Sequence, residues 1–309
     1  MDKKILIIGA NGYIGKYLSV FLKTVGVGEV IAVDRTSDSD FWFYSHNIYF
    51  YKSDIMDPDF VQQIMIPNKI DTIFYLAGES DIYNNFNNPV NSAASNILPL
   101  VKILDNIKNK DINLFFISST SVHGGKADYV PGTLNPMTPY AASMVACESF
   151  INAYSVIGNI DYTIIRVPAI FGGALGKDQL TKWLREIISG DTNDITVDFH
   201  PYSKKDFFYI KDLCRVIYYI YNQKEKNRTL DITYGSDKIK NWKELAELVK
   251  KISFSDASIH TEARVYDKTT PIFVSSSMDL SLIDLMGLEM GLKETYVLLK
   301  NPKSEMFNI

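Results

Sequence analysis

A chain of 309 residues, 46% hydrophobic and 22% charged, has the means to bury a full core and is not a disordered polymer. Its net charge of -4, with lysine and arginine spread along its length, excludes a general nucleic-acid binder, so an anionic ligand must be held by local groups. No apolar run approaches the roughly 18 residues of a membrane span, Cys147 and Cys214 stand apart with no C-x-x-C, and the basic start Lys3-Lys4 leads only into the short run Ile5-Leu6-Ile7-Ile8. A cytoplasmic protein without a disulfide scaffold or a membrane partner is expected.

In chain order, short apolar runs at 5–8, 30–33, 72–76, 114–117 and 162–167 read as buried strands. Helical spacing of apolar residues over 13–23, 89–107 and 140–157 puts helices between them. Strands and helices in alternation predict an α/β fold of the Rossmann type, a doubly wound parallel sheet covered on both faces. Beyond Pro168 the rhythm changes: helices are expected over 179–188, 210–221, 242–252 and 280–285, with short strands between them. This second region reads as a smaller mixed α/β substrate domain interleaved with the end of the sheet. The cofactor domain is then 1–167 and 205–235, and the substrate domain 168–204 and 236–309.

The first motif is Gly9-Ala10-Asn11-Gly12-Tyr13-Ile14-Gly15, between the first strand and the first helix. Glycine is needed there because the backbone must turn tightly and approach a pyrophosphate, which the helix N-terminus then receives with its N–H groups and positive dipole end. Asp34 closes the second strand at the distance that a dinucleotide fingerprint requires. Its carboxylate accepts ribose hydroxyls and repels a 2′-phosphate, which favours NAD over NADP, while Arg35 beside it softens that preference.

The later motifs resemble, in order and across almost the whole chain, those of the extended short-chain dehydrogenase/reductase family, whose members mostly act on nucleotide sugars. Asp54-Ile55 resembles the pair beside the adenine, Leu76-Ala77-Gly78 the segment lying along the cofactor, and Asn96 a structural asparagine on the next helix. Ser118-Ser119-Thr120-Ser121-Val122-His123-Gly124 is similar to Ser-Ser-x-x-Val-Tyr-Gly. That likeness puts Ser119 at the catalytic hydroxyl position, Thr120 beside it in the substrate site, and His123 where a tyrosine is usual. Pro139-Tyr140-Ala141-Ala142-Ser143-Met144 matches Tyr-x-x-x-Lys with Met144 in place of the lysine, in a register anchored by Pro139 and Glu148. The segment from Arg166 through Pro168 to Gly172 is similar to Arg-x-x-Asn-x-Tyr-Gly, with Pro168 against the cofactor and Ala169 replacing a substrate-contacting asparagine. Lys205-Asp206-Phe207 resembles Arg-Asp-Phe, so Lys205 replaces the arginine that grips the nucleotide diphosphate and loses its bidentate fork. The resemblance also implies a homodimer through the helices over 89–107 and 140–157.

Methionine decides the direction of the expected chemistry. A tyrosine has an ordinary pKa near 10, and the family's lysine lowers it by placing a positive charge nearby. Met144 fills the volume without the charge. Tyr140 is then suited to start as an acid, which ketone reduction needs, and poorly suited to start as a base, which alcohol oxidation needs. The leading expectation is an NAD-dependent reductase of a 4-keto nucleotide sugar in deoxysugar or surface-polysaccharide synthesis. A nucleotide-sugar 4-epimerase and a catalytically silent cofactor-binding protein are the alternatives. A 4,6-dehydratase is disfavoured because Thr120 and Ser121 stand where an Asp-Glu pair would eliminate water. His46, His123, His200 and His260 have no metal-ligand spacing, so no metal is expected. The aromatic run 41–44 reads as satellite packing, and Lys182 and Arg185 as a solvated face rather than a phosphate grip.

Overall fold

Seven strands form one sheet in the computed structural model, which describes residues 3–36, 40–80, 82–124, 132–191, 194–198, 201–261 and 275–301. They are β1 (Lys4–Ile8), β2 (Glu29–Asp34), β3 (Tyr49–Lys52), β4 (Thr72–Tyr75), β5 (Asn113–Ser119), β6 (Asp161–Val167) and, after β7 (Ala169–Phe171), β8 (Asp194–Val197), β9 (Lys204–Lys205) and β10 (Phe207–Tyr209), the strand β11 (Arg228–Asp231). Their spatial order is β11-β6-β5-β4-β1-β2-β3, and the ladders joining β3, β2, β1, β4 and β5 are parallel. The five strands legible as apolar runs form the interior. The two that were not, β3 and β11, lie at the edges, where partial exposure replaces the apolar run with mixed residues.

The helices of the first half are α1 (Tyr13–Thr24), α2 (Asp40–Ser45), the short α3 (Ile66–Asn68), α4 (Ile82–Asn87), α5 (Pro89–Ile107) and α6 (Pro139–Ile157). On one face of the sheet Leu6, Ile8, Ile31, Val33, Ile73, Leu114 and Phe116 share a buried core with Leu100, Ile103 and Leu104 of α5 and Cys147 and Ile151 of α6. Each such aliphatic side chain contributes about 1.5–3 kcal/mol when removed from water. Local chemistry fixes where the two long helices begin. Asn88 and Thr138 cap them by accepting the backbone N–H groups of Asn91 and Ala141, and Pro89 and Pro139 take the first helical position, where a missing N–H costs nothing. Two residues of the aromatic run pack against the unit, Phe43 buried and stacked on Phe50 at 4.7 Å and Trp42 6.4 Å from Tyr17 of α1, whereas Tyr44 is exposed.

The described residues divide into two compact units. The first runs to His123, resumes over Leu134–Arg166 and ends with Ile220–Leu230. The second consists chiefly of Val167–Tyr219 and Asp231–Ile309, so residues 205–219, grouped with the cofactor domain on sequence alone, pack here. It contains α7 (Gln179–Ser189), the start of α8 (Ile210–Gln223), β12 (Lys240–Asn241), α9 (Trp242–Ser253), β13 (Ser258–Thr261) and α10 (Gly287–Lys300). Its ladders are β7 with β10, β8 with β13, and β9 with β12. Trp183, Phe207 and Trp242 pack edge to face at 5.7–6.0 Å. The buried Asp212 carboxylate accepts the Tyr234 hydroxyl at 2.5 Å and the Met286 and Gly287 N–H groups at 3.0 and 2.8 Å. The helix expected over 280–285 is only a 3₁₀ turn, Leu280–Leu282, and the α-helix lies further on as α10. Two glycines mask α10 by lowering helix propensity. Gly291 is required because a Cβ there would meet the Tyr209 ring at 2.6 Å.

Candidate active site

The strand order reverses between β1 and β4, so the crevice at their carboxyl ends is the switch point where doubly wound sheets bind ligands. The loops leaving these strands meet there. Gly9 has φ +85°, and a Cβ on it would lie 2.6 Å from the Ala77 backbone nitrogen. A Cβ on Gly15 would collide with the Gly9 carbonyl and lie 2.7 Å from the Ala10 Cα, so the loop closes onto α1 only as glycine. No side chain caps α1 at Gly12, and its first turn, Tyr13-Ile14-Gly15, faces the loop with the helix's positive end. The Oδ1 atom of Asn11 is buried there with no hydrogen-bond partner. A cradle that a Cβ would fill, an uncapped helix start and a waiting acceptor together fit a dinucleotide.

Asp34 is fixed by three donors. Its Oδ2 accepts the Asn11 N–H at 3.0 Å, and its Oδ1 accepts the Thr36 N–H and hydroxyl, each at 3.0 Å. The Asn11 side-chain amide donates to the Thr36 hydroxyl at 2.6 Å and closes the ring. Arg35 is exposed. The Ser53 N–H donates to the Asp34 carbonyl at 2.9 Å, which brings Asp54 and the buried Ile55 alongside. Leu76, Ala77 and Gly78 follow β4, where a Cβ on Gly78 would meet the Asn96 Oδ1 at 2.9 Å.

Ser119 and Tyr140 come together at the end of β5 and the start of α6, near enough that the Ser119 hydroxyl draws the Tyr140 phenol downward. The Ser119 Oγ also accepts the Ser121 N–H at 3.1 Å, in the turn that begins with the partly buried Thr120. Burial pushes the Tyr140 phenol up to about 12, the Cys147 thiol adds to the rise, and the Ser119 hydroxyl pulls it back. Met144, one turn further along α6, is 4% exposed and belongs to the apolar core. His123 is buried.

Two polar networks hold this pair. The Asn96 Oδ1 of α5 accepts the Glu79 N–H at 2.6 Å, and its amide nitrogen donates to the Ser143 hydroxyl at 2.9 Å, which donates to the Tyr140 carbonyl at 2.8 Å. Behind Ser119, the Ser118 hydroxyl donates to the Glu148 carboxylate at 2.6 Å, and Arg166 grips the same carboxylate through two nitrogens at 3.0 and 2.6 Å. One bidentate pair thus ties β5, α6 and β6.

In the second unit, Pro168 is buried, Ala169 stands opposite Phe207 in the β7–β10 ladder, and Lys205 stands opposite Lys240 in the β9–β12 ladder. Lys182 pairs with Glu186 at 3.7 Å. Arg185 does something sequence reading missed: it donates to the Ala174 and Gly176 carbonyls at 3.1 and 3.0 Å and clamps the loop after β7. Thr36 was missed as well, although a hydroxyl two residues after a strand-end aspartate is a turn signal. Tyr75, whose buried hydroxyl has no hydrogen-bond partner and whose pKa is pushed upward by burial, has no sequence signature. His200 lies outside the described residues.

Comparison with known proteins identifies the family and the fold. The family model described as "NAD dependent epimerase/dehydratase family" matches residues 5–233. A putative UDP-glucose 4-epimerase of Methanocaldococcus jannaschii is 26% identical over 277 residues, 84% of this chain and 86% of that protein. The crystal structure of Thermotoga maritima UDP-glucose 4-epimerase with UDP-glucose is similar in fold, with a TM-score of 0.85 at 19% identity, covering 97% of this chain and 99% of that one. The Bacillus cereus UDP-glucuronic acid 4-epimerase in complex with UDP-glucuronic acid and NAD gives a TM-score of 0.83 at 19% identity, over 96% and 99% of the two chains.

Proposed function

The chain belongs to the NAD dependent epimerase/dehydratase family, and from that premise we propose that it is a nucleotide-sugar reductase acting on a keto group at C4, in deoxysugar or surface-polysaccharide synthesis. Gly9, Asn11, Gly12, Tyr13, Ile14 and Gly15 hold the pyrophosphate, and Asp34 the adenosine ribose. Asp54, Ile55, Leu76, Ala77, Gly78 and Pro168 line the rest of the dinucleotide. When bound, NADH supplies the hydride. Tyr140 carries a proton on its phenol oxygen and delivers it to the substrate oxygen, while Ser119, with Thr120 beside it, orients that oxygen. Ala169 leaves room near the sugar, and Lys205 meets the diphosphate. A cytoplasmic homodimer through α5 and α6 is part of this reading, and it would cover Leu98 and Phe150, which are exposed at 56% and 40%.

The observation that carries the proposal is Met144, packed in the apolar core one turn along α6 from Tyr140, where it brings no positive charge to lower the phenol, whose pKa is raised. A group held protonated across neutral pH is an acid, and reduction begins with the acid form. A second reading, a nucleotide-sugar 4-epimerase, is favoured by the names of the relatives. It requires Tyr140 to begin as a base, against the direction in which its surroundings push it. Incubation with NADH and a nucleoside-diphospho-4-keto-6-deoxyglucose separates the two. Stoichiometric loss of NADH with formation of the 4-hydroxy sugar supports the reductase. In a parallel incubation with NAD+ as hydride acceptor, interconversion of UDP-glucose and UDP-galactose with no net change in NADH establishes the epimerase. Dinucleotide binding with neither reaction identifies a silent protein.

A further inference from the structure

Lys205 and Lys240 are directly opposite in the antiparallel β9–β12 ladder. Directly opposed residues of such a ladder point to the same face with their Cβ atoms about 4.5–5.5 Å apart, and like charges in that arrangement are destabilising. Both lysines are partly buried, so water does not screen them fully. Asp206 and Glu289 are among the carboxylates near them. Burial pushes the neighbouring Asp206 up to about 7 against the pull of Lys205, which leaves it about half ionised at neutral pH. Glu289 senses Lys240, but its carboxylate is engaged by Lys293 at 2.9 Å. A pair of ammonium groups held on one face of a ladder suits an anion with two charged centres, which a single monovalent group is not. Lysine at position 205 also offers a point charge where an arginine would offer a planar fork. A second cation across the strands restores two-point contact by a different route.

We propose that Lys240 joins Lys205 in a two-cation clamp for the diphosphate of the substrate, so that the nucleotide is gripped from both strands of the β9–β12 ladder. The proposal rests on the nucleotide-sugar reading and assigns Lys240 a specificity-determining role within it. Lys204 provides the internal control: it adjoins Lys205, is exposed, and as the next residue of the strand points to the other face.

The test is calorimetric titration of the full-length protein, loaded with NADH, with UDP, dTDP, CDP and GDP in turn, followed by variants with whichever binds best. Lys240→Gln and Lys205→Gln should each weaken binding about tenfold, the loss of one charge-assisted contact, and Lys204→Gln should leave it unchanged. Lys205→Arg should restore a fork, so that Lys240→Gln costs less in that background. Without ligand, Lys240→Gln should melt at or above the wild-type temperature, since it removes a like-charge contact. Wild-type affinity in Lys240→Gln, or an equal loss in Lys204→Gln, overturns the clamp and leaves the nucleotide-sugar reading standing. Failure of the wild type to bind any of the four nucleotides overturns both.

Discussion

Around Asp34 both carboxylate oxygens are met by donors, two of them from Thr36 and one from the Asn11 backbone. Around Tyr140 the hydroxyl has Ser119, and one turn along the helix stands a thioether instead of an ammonium. The two regions belong to the same compact unit. At the cofactor end the charge is kept and held in place. In the proposed reaction the Tyr140 end lacks that charge, and burial raises the phenol. On the proposed reading, the first arrangement serves either direction of reaction and the second favours the acid form of the phenol.

The sharpest way to break this contrast is Tyr140→Phe. If the phenol acts only by moving a proton in the transition state, turnover should fall by about 10²–10⁴-fold, while NADH affinity by calorimetry stays within about twofold of the wild type. Unchanged turnover would place the proton donor elsewhere.

Met144→Lys should convert the second kind of environment into the first. A positive charge nearby lowers a tyrosine pKa by about 1–3 units. With the wild-type phenol at about 12, its oxidation rate should climb roughly tenfold per pH unit across neutrality, because only the phenolate is the base. Reduction should stay flat there, because the neutral phenol is already the donor. In Met144→Lys the oxidation limb should move down by about one unit or more, with the equilibrium between the sugar forms unchanged. Rates in both directions from pH 6 to pH 10 decide this. A wild-type oxidation limb that is already fast and flat would show that another group activates Tyr140.

The smallest effects belong to the cofactor end, where redundancy dilutes each change. Asp34→Ala should weaken NADH about tenfold and narrow its advantage over NADPH. Thr36→Val should act in the same direction by about three- to fivefold, because the Thr36 and Asn11 backbone N–H groups still hold the carboxylate once the hydroxyl is lost. Calorimetry with both dinucleotides measures it, and an unaltered NADH-to-NADPH ratio in both variants would remove the role given to Asp34.

What could be read from the chain followed from how many constraints a residue serves. Gly9 and Gly15 were legible because backbone sits where a Cβ would be, and no other residue satisfies that. The interior strands were legible because burial on both faces leaves only apolar residues. β3 and β11 were not, because an edge strand has a wet side and its sequence drifts toward that of a loop. α10 was hidden by Gly291, whose absent side chain serves the Tyr209 ring rather than the helix. Tyr140 and Ser119 were singled out by the resemblance of their motifs to the family's, whereas Thr36 and Arg185 act through loop geometry, which leaves little trace in a linear pattern. The grouping of residues 205–219 with the second unit depends on partners such as Trp242, and separations of that size do not show in local periodicity.

Asn96 links the segment after β4 to the start of α6. From α5 its amide reads the backbone N–H of Glu79 just past the cofactor loop, and through the Ser143 hydroxyl it reaches the carbonyl of Tyr140. An amide has a fixed planar layout of one acceptor and two donors, so it cannot serve these two neighbours from a different position without releasing one of them. The helix that carries it is one of the two proposed to meet a second copy of the chain. Sub-ångström travel of α5 would then be felt at the Glu79 N–H and at the Tyr140 carbonyl together.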